Sequence, residues 1–261
     1  MRIDLLLYKN GICPSRNKAK EMVLRGEILY KGKPCKPADD VEDIKDITVI
    51  QTETNFVSNG GYKLDKAIND FNLKVDGLTF VDLGASNGGF TDVLLKNNAK
   101  KVYAVDVGES QLDKSLKNDS RVVVFDNTNA RNVSKDTFGE YVDGVVCDVS
   151  FISLTLILEN IKSVLKDGGF AVLLIKPQFE CGKKYLSKNG IVTDVKARLN
   201  CVTNIIDFAK NIGLYTTNLT TAPIKEKKNV EYLILVYKSQ NKKIIEENQI
   251  KSLVIKGEIW K

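Results

Sequence analysis

Lys63, Asp148, Lys176 and Glu231 are the residues whose types and places could do chemistry. Lys63 stands in Ser58-Asn59-Gly60-Gly61-Tyr62-Lys63-Leu64, and Asp148 in Cys147-Asp148-Val149-Ser150-Phe151-Ile152-Ser153. Lys176 follows Leu174-Ile175 and precedes Pro177-Gln178-Phe179-Glu180, and Glu231 opens Glu231-Tyr232-Leu233. Any one of them alone reads as the exposed end of an apolar strand. Two lysines and two carboxylates at sheet edges beside a glycine-rich loop read together as a site that orients and moves a proton. The chain has no histidine, which excludes a Ser-His-Asp triad, a His-assisted cysteine nucleophile and a histidine metal site. Proton transfer therefore falls to carboxylates, lysine, tyrosine or water. Cys13, Cys35, Cys147, Cys181 and Cys201 are odd in number and never spaced C-x-x-C. They read as reduced thiols, and no metal is expected.

The glycine-rich loop runs Asp82-Leu83-Gly84-Ala85-Ser86-Asn87-Gly88-Gly89-Phe90 after an apolar run and opens a helical pattern. Glycine lets the backbone take conformations closed to other residues and approach a ligand closely. A second apolar run ends at Val105-Asp106-Val107, where an acid is placed to accept both hydroxyls of a ribose. The spacing is not G-x-G-x-x-G, and no lysine follows as in a phosphate loop. The remaining reading is a nucleoside site that need not hold phosphate, which suits S-adenosylmethionine. The cofactor candidates are Asp82, Gly84, Ala85, Ser86, Gly88, Gly89, Phe90, Asp106 and Val107. Asp126 and Asn127, past a third run, join them as acceptors for an adenine amino group, although that pair is equally good turn chemistry.

The elements that must position these groups alternate. Strand-like runs cover Leu78–Leu83, Lys101–Asp106, Arg121–Phe125, Val142–Asp148, Phe170–Lys176 and Glu231–Tyr237, with helical patterns near 62–72, 88–97, 110–118, 155–166 and 194–212. Such alternation predicts an α/β fold, a mostly parallel sheet with helices on both faces and ligands at the carboxyl ends of its strands.

The first 50 residues differ in character. Residues 1–37 hold nine Lys and Arg against Asp4, Glu21 and Glu27, which accounts for the whole net charge of +6. A basic segment joined to a neutral one suggests an anionic polymer as partner; a merely solvated surface is the alternative. Ser15 is placed to cap a helix over residues 16–25, with Ala19, Met22 and Val23 as its core stripe and Gly26 as its stop. Ile28–Tyr30 and Ile47–Ile50 read as short strands. The pattern Arg2, Leu5-Leu6, Ser15-Arg16, Ala19, Val23, Gly26, Ile28, Gly32 resembles an S4 domain, a small α+β RNA-binding fold. That resemblance implies RNA contacts from Arg2, Arg16, Lys18, Lys20 and Arg25.

Across nearly the whole chain the sequence resembles the TlyA, or haemolysin A-like, family, in which an S4 domain precedes an FtsJ-type domain. The resemblance rests on Asp82–Asp92 (DLGASNGGFTD), Arg121–Val124, Asp148–Leu154 (DVSFISL) and Lys176–Glu180 (KPQFE). It implies a Rossmann-like class I methyltransferase with a catalytic tetrad at Lys63, Asp148, Lys176 and Glu231. The implied reaction is S-adenosylmethionine-dependent 2'-O-methylation of ribose, on cytidine, in ribosomal RNA or ribosomal subunits. An ordinary lysine is neutral about once in 2,500 molecules at pH 7, and making one a useful base costs roughly 3–4 kcal/mol. The expectation is that Lys176 takes the hydroxyl proton while Lys63 supports it, with Asp148 and Glu231 holding both. Asn59 stands where the family has an arginine, and Ile224–Asn229 replaces a glycine-containing loop.

The expected domains are 1–50 (S4-like), 51–57 (linker), 58–238 (methyltransferase) and 239–261 (tail). No run of about 18 apolar residues suggests a membrane span, and the first residues lack a secretion signal, so a cytoplasmic protein without a membrane partner is expected. Competing readings are a non-catalytic RNA-binding assembly factor, a membrane-active haemolysin and a nicotinamide-dependent oxidoreductase, the last disfavoured by the glycine spacing. The oligomeric state is not legible.

Overall fold

Alternating apolar runs and amphipathic helices fold into two units, Met1–Asn55 and Phe56–Lys261. The structure, a computed structural model, describes residues 1–13, 15–24, 26–50, 56–223, 228–239 and 241–256, excepting the side chains of residues 21 and 256.

The first unit comprises helices α1 (Ile3–Lys9) and α2 (Arg16–Leu24) and strands β1 (Ile28–Tyr30), β2 (Lys33–Pro34) and β3 (Ile47–Val49). The Ser15 hydroxyl accepts from the Lys18 amide at 3.2 Å, so α2 begins where the cap implies. Gly26 takes φ +74° beyond its end. Strand β1 pairs antiparallel with both neighbours. The tight turn into β2 needs positive φ at both central residues, which Lys31 and Gly32 supply. Ile3, Leu7, Ala19, Val23, Ile28 and Val41 form the core.

The second unit runs α3 (Gly60–Phe71), β4 (Thr79–Leu83), α4 (Gly89–Lys96), β5 (Lys101–Val105), α5 (Lys114–Lys117), β6 (Val122–Phe125), α6 (Lys135–Phe138), β7 (Val142–Cys147), α7 (Leu158–Val164), β8 (Leu165–Ile175), α8 (Pro177–Glu180), α9 (Val195–Asn211), β9 (Tyr215–Thr221), β10 (Tyr232–Tyr237) and α10 (Glu247–Lys256). Its sheet has the order β6-β5-β4-β7-β8-β10-β9. The first five of these strands are parallel, and β10 runs antiparallel to β8 and β9.

Both sheet faces are covered, so side chains alternate between two apolar layers along each strand. Val81, Leu83, Leu173 and Ile175 meet α7 and α9 on one face, while Phe80, Val172 and Leu174 share the other with α3 and α4. The fold is the expected α/β arrangement. It also contains β9, a threonine-rich edge strand that the apolar pattern did not reveal, and α10, which buries Ile250 and Val254 against the core. No described helix is long and apolar enough to cross a membrane.

Candidate active site

The strand order reverses at β4, which is flanked by β5 on one side and β7 on the other; in open sheets of this kind ligands bind at that switch point, at the carboxyl ends of the strands. Gly84 leaves β4 with φ +82°, and a Cβ at that position would lie 2.7 Å from the Asp148 carbonyl oxygen. Only glycine lets the β4 loop lie against the end of β7. The Asp148 amide donates to the Leu83 carbonyl at 3.0 Å, closing the same contact. Gly89 performs a similar task between helices. A Cβ there would sit 2.8 Å from the Gly61 nitrogen, so the start of α4 meets the start of α3, which carries Lys63.

The four catalytic candidates converge. Asp148 follows β7, Lys176 follows β8, and the pairing of Tyr232 with Ile175 brings Glu231 to the same edge. Lys63 Nζ lies 2.7 Å from Glu231 Oε2 and 3.5 Å from Asp148 Oδ2, and Lys176 Nζ lies 2.5 Å from Asp148 Oδ1. The result is a chain in which carboxylates and lysines alternate, Glu231–Lys63–Asp148–Lys176. Lys176 is only 8% exposed and also donates to Ser150 Oγ at 2.8 Å. Burial opposes the charge on Lys63, but Asp148 and Glu231 outweigh it and hold that ammonium above the ordinary lysine value. Lys63 is thus a fixed cation between two carboxylates.

Residue-type reasoning missed four neighbours. Ser150 accepts from Lys176, and Gln178 Nε2 donates to Glu231 Oε1 at 3.3 Å. Phe151 is 90% exposed with a left-handed φ of +64°, and its ring lies 4.9 Å from that of Phe179. The available signal was position: all four lie in the DVSFISL and KPQFE stretches.

Four aspartates mark the carboxyl ends of adjacent strands: Asp82 in β4, Asp106 after β5, Asp126 after β6 and Asp148 after β7. Asp106 accepts from the Ser86 amide at 2.7 Å and the Gly108 amide at 2.8 Å, tying the two loops together. Asp126 accepts from the Ser110 amide at 3.1 Å. Asp82 is buried; its Oδ2 accepts from the Thr91 hydroxyl at 2.7 Å, while Oδ1 is buried without a hydrogen-bond partner. Burial, countered by Thr91 and reinforced by Asp148 and Asp106, pushes its carboxyl to about 7.

Of the remaining cofactor candidates, Val107 is exposed at 66%, and Ser86 and Asn127 adopt positive φ in the two loops. Ala85 and Phe90 are buried in the core, where they shape the loop from below. Gly88 takes φ +92° directly over Leu112 and Leu116. The Cys147 thiol, sealed behind Asp148, is pushed by burial to about 12 and is inert as a nucleophile.

In the first unit, the buried Asp4 carboxylate holds the guanidinium groups of Arg2 and Arg16, each at 3.1 Å. Both arginines keep over two-fifths of their side-chain surface exposed. Lys18 and Lys20 lie half-buried on α2, and Arg25 falls outside the described residues.

Residues 56–239 match the FtsJ-like methyltransferase family, and residues 1–46 match the S4 domain. The chain belongs to the FtsJ-like methyltransferase family. It carries an S4 domain before its methyltransferase domain and is a methyltransferase that uses S-adenosylmethionine. Over 89% of its length it is 42% identical to hemolysin A of Brachyspira hyodysenteriae, covering 98% of that protein. Over a similar span it is 39% identical to the 16S/23S rRNA (cytidine-2'-O)-methyltransferase TlyA of Mycobacterium tuberculosis, covering 88% of it. A solved hemolysin structure from Streptococcus thermophilus superposes with a TM-score of 0.77 at 36% identity, covering 98% of this chain and 95% of that one. An S-adenosylmethionine-dependent methyltransferase from Listeria monocytogenes shares the fold at 16% identity and a TM-score of 0.54, across 70% of this chain and all of that one.

The carboxylates at these strand ends have the sign that a ligand bearing a sulfonium and an ammonium calls for.

Proposed function

We propose that the protein methylates the 2'-hydroxyl of a ribose, on cytidine, in ribosomal RNA. The observation that carries this reading is the Glu231–Lys63–Asp148–Lys176 chain at the end of the sheet that also bears the strand-end aspartates. The likeness to relatives named as ribosomal RNA cytidine-2'-O-methyltransferases supports it. Asp106 would hold the cofactor's ribose hydroxyls, Asp126 and Asn127 its adenine edge, and the loop from Gly84 to Gly89 its backbone-facing side. When bound, S-adenosylmethionine supplies a methyl group activated by the sulfonium. Lys176, in its neutral amine form, would receive the proton that the ribose oxygen gives up on taking the methyl group. Lys63, held charged by its two carboxylates, orients the hydroxyl. Asp148 fixes both lysines, and Glu231 with Gln178 fixes Lys63 from the far side.

Phe151, exposed beside Ser150, offers a ring on which the target base can stack, a contact worth about 1–3 kcal/mol per base in nucleic-acid complexes. Arg2, Arg16, Lys18, Lys20 and Arg25 would grip the RNA backbone from the S4 domain. Residues 1–50 form the RNA-binding part in this reading, residues 58–238 the catalytic part and residues 51–57 the link. The substrate sets the cytoplasm as the place of action.

The test is transfer from methyl-labelled S-adenosylmethionine to ribosomal subunits that lack their natural modifications. Label on the RNA of one or both subunits is expected. Cofactor binding without label on any ribosomal RNA would contradict the reading.

A further inference from the structure

The KPQFE stretch ends in a residue that the tetrad does not use. Glu180 reaches across to the loop after β7, where its Oε2 accepts from Ser153 Oγ at 2.6 Å and its Oε1 from the Leu154 amide at 2.9 Å. Ser153 in turn accepts from the Thr155 amide, capping the short 3₁₀ turn Leu154–Leu156. Segments 148–154 and 176–180 are thereby tied at both ends. Lys176 meets Asp148 and Ser150 at one end, Glu180 meets Ser153 and Leu154 at the other, and the rings of Phe151 and Phe179 touch between them.

The tied loop is strained. Phe151 holds a left-handed φ of +64°, a conformation that a bulky residue keeps only when its surroundings enforce it. Burial pushes the Glu180 carboxyl above the ordinary glutamate range, against the pull of its two hydrogen bonds. A half-buried acid is a costly way to hold a loop unless the loop's geometry matters.

We propose that Glu180 is a positioning residue for methyl transfer: it anchors the strained 148–154 loop so that Ser150 stays on Lys176 and Phe151 stays on Phe179. The proposal rests on the proposed reaction, but its test separates the two. With the anchor gone, residues 149–152 relax out of the left-handed turn. Lys176 then loses the Ser150 hydroxyl, which holds it together with Asp148, while the cofactor loop at Gly84–Gly89 keeps its own contacts.

The experiment uses the full chain in four forms: Glu180→Ala, Glu180→Gln, Ser153→Ala and the Glu180→Ala/Ser153→Ala pair. Steady-state methyl transfer, cofactor affinity and peptide-level hydrogen exchange are measured for each. Glu180→Ala is expected to lower kcat by about tenfold to a hundredfold, as displacements of about 1 Å do, with cofactor affinity within about threefold of the parent. Ser153→Ala should lower kcat by less, and the pair should be no worse than Glu180→Ala, because both residues serve one contact. Glu180→Gln, whose amide oxygen still accepts from Leu154, should recover most of the loss. Exchange should quicken in the 148–154 peptide and stay unchanged in the β4 and β5 peptides. Unchanged kcat in Glu180→Ala, additive losses in the pair, or a loss confined to KM or cofactor affinity would overturn the proposal. If Glu180→Ala fails to fold, full kcat in Ser153→Ala overturns it and a reduced kcat supports it. If the parent protein methylates no RNA, the reaction reading fails, and the exchange pattern alone decides whether Glu180 anchors the loop.

Discussion

Asp82 is the residue at which charge and burial conflict most sharply. Its carboxyl is buried, has one oxygen without a partner, and is pushed to about 7, well above an ordinary aspartate. Raising the folded-state value means that the folded protein binds the proton more tightly than the unfolded chain. The stability this provides is complete below the unfolded value of 3.8 and is lost as pH rises through about 7. A cationic ligand prefers the ionised form, so cofactor affinity moves in the opposite direction and rises over the same interval. Calorimetric titration between about pH 5.5 and about pH 8.5 should show tighter binding at the upper end, coupled to proton release. In Asp82→Asn the slopes of both stability and affinity with pH should flatten. The tetrad is ordered differently, since its lysines and carboxylates alternate and Lys63 is held charged by two carboxylates.

At the scale of elements, one glycine joins the two halves of the site. Gly84→Ala would impose a Cβ on a φ of +82° and drive it to 2.7 Å from the Asp148 backbone. Strain and overlap together should cost about 1–3 kcal/mol in stability and weaken cofactor binding more than tenfold, measured by thermal melting and titration. Ala85, whose amide already donates to Val105, tolerates a Cβ by nature and serves as the contrast. The strands that carry the site were legible because three catalytic candidates abut an apolar run: Asp148 closes β7, Lys176 closes β8 and Glu231 precedes β10, whereas Lys63, read as a strand end, lies in the first turn of α3. Their mutual pairing was not legible, because it depends on β7, β8 and β10 lying side by side, a long-range property of strand order. Strand β9, Tyr-Thr-Thr-Asn-Leu-Thr-Thr, escaped notice because an edge strand with only Thr216, Leu219 and Thr220 buried has a weak apolar signature. Helix α10 escaped because the mixed Lys-Glu-Ile tail shows no clear period, although Ile250 and Val254 reach the core. Ser150, Phe151, Gln178 and Glu180 are ordinary polar and aromatic residues, and their roles emerge only from the loops that face one another.

At the scale of the molecule, the basic segment 1–37 and the chemistry lie in different units. The first unit sets the basic stretch 1–37 before an acidic one at 38–55, and its Asp4 holds Arg2 and Arg16 as a forked pair. Replacing either arginine with glutamine should leave Asp4 one partner and cost little stability, while each change should lower the salt dependence of RNA binding by about one ion. Replacing both leaves the Asp4 carboxylate without either partner, and the first unit should lose more stability than the two single changes together. A melt of that unit, followed separately from cofactor-dependent stabilisation of the second, would show whether the loss stays local. The strand-end aspartates and the lysine–carboxylate chain belong wholly to the second unit. Cofactor affinity should therefore be indifferent to either arginine change.

Everything proposed for the tetrad turns on Lys176 taking a proton from a ribose 2'-hydroxyl. The direct measurement is nucleoside analysis of ribosomal RNA after reaction with methyl-labelled cofactor, for the parent protein and Lys176→Ala in parallel. Label is expected in an alkali-resistant 2'-O-methylcytidine, reduced by about 10²–10⁴-fold in Lys176→Ala with cofactor affinity retained. Label on a base atom, or undiminished transfer by Lys176→Ala, would contradict it.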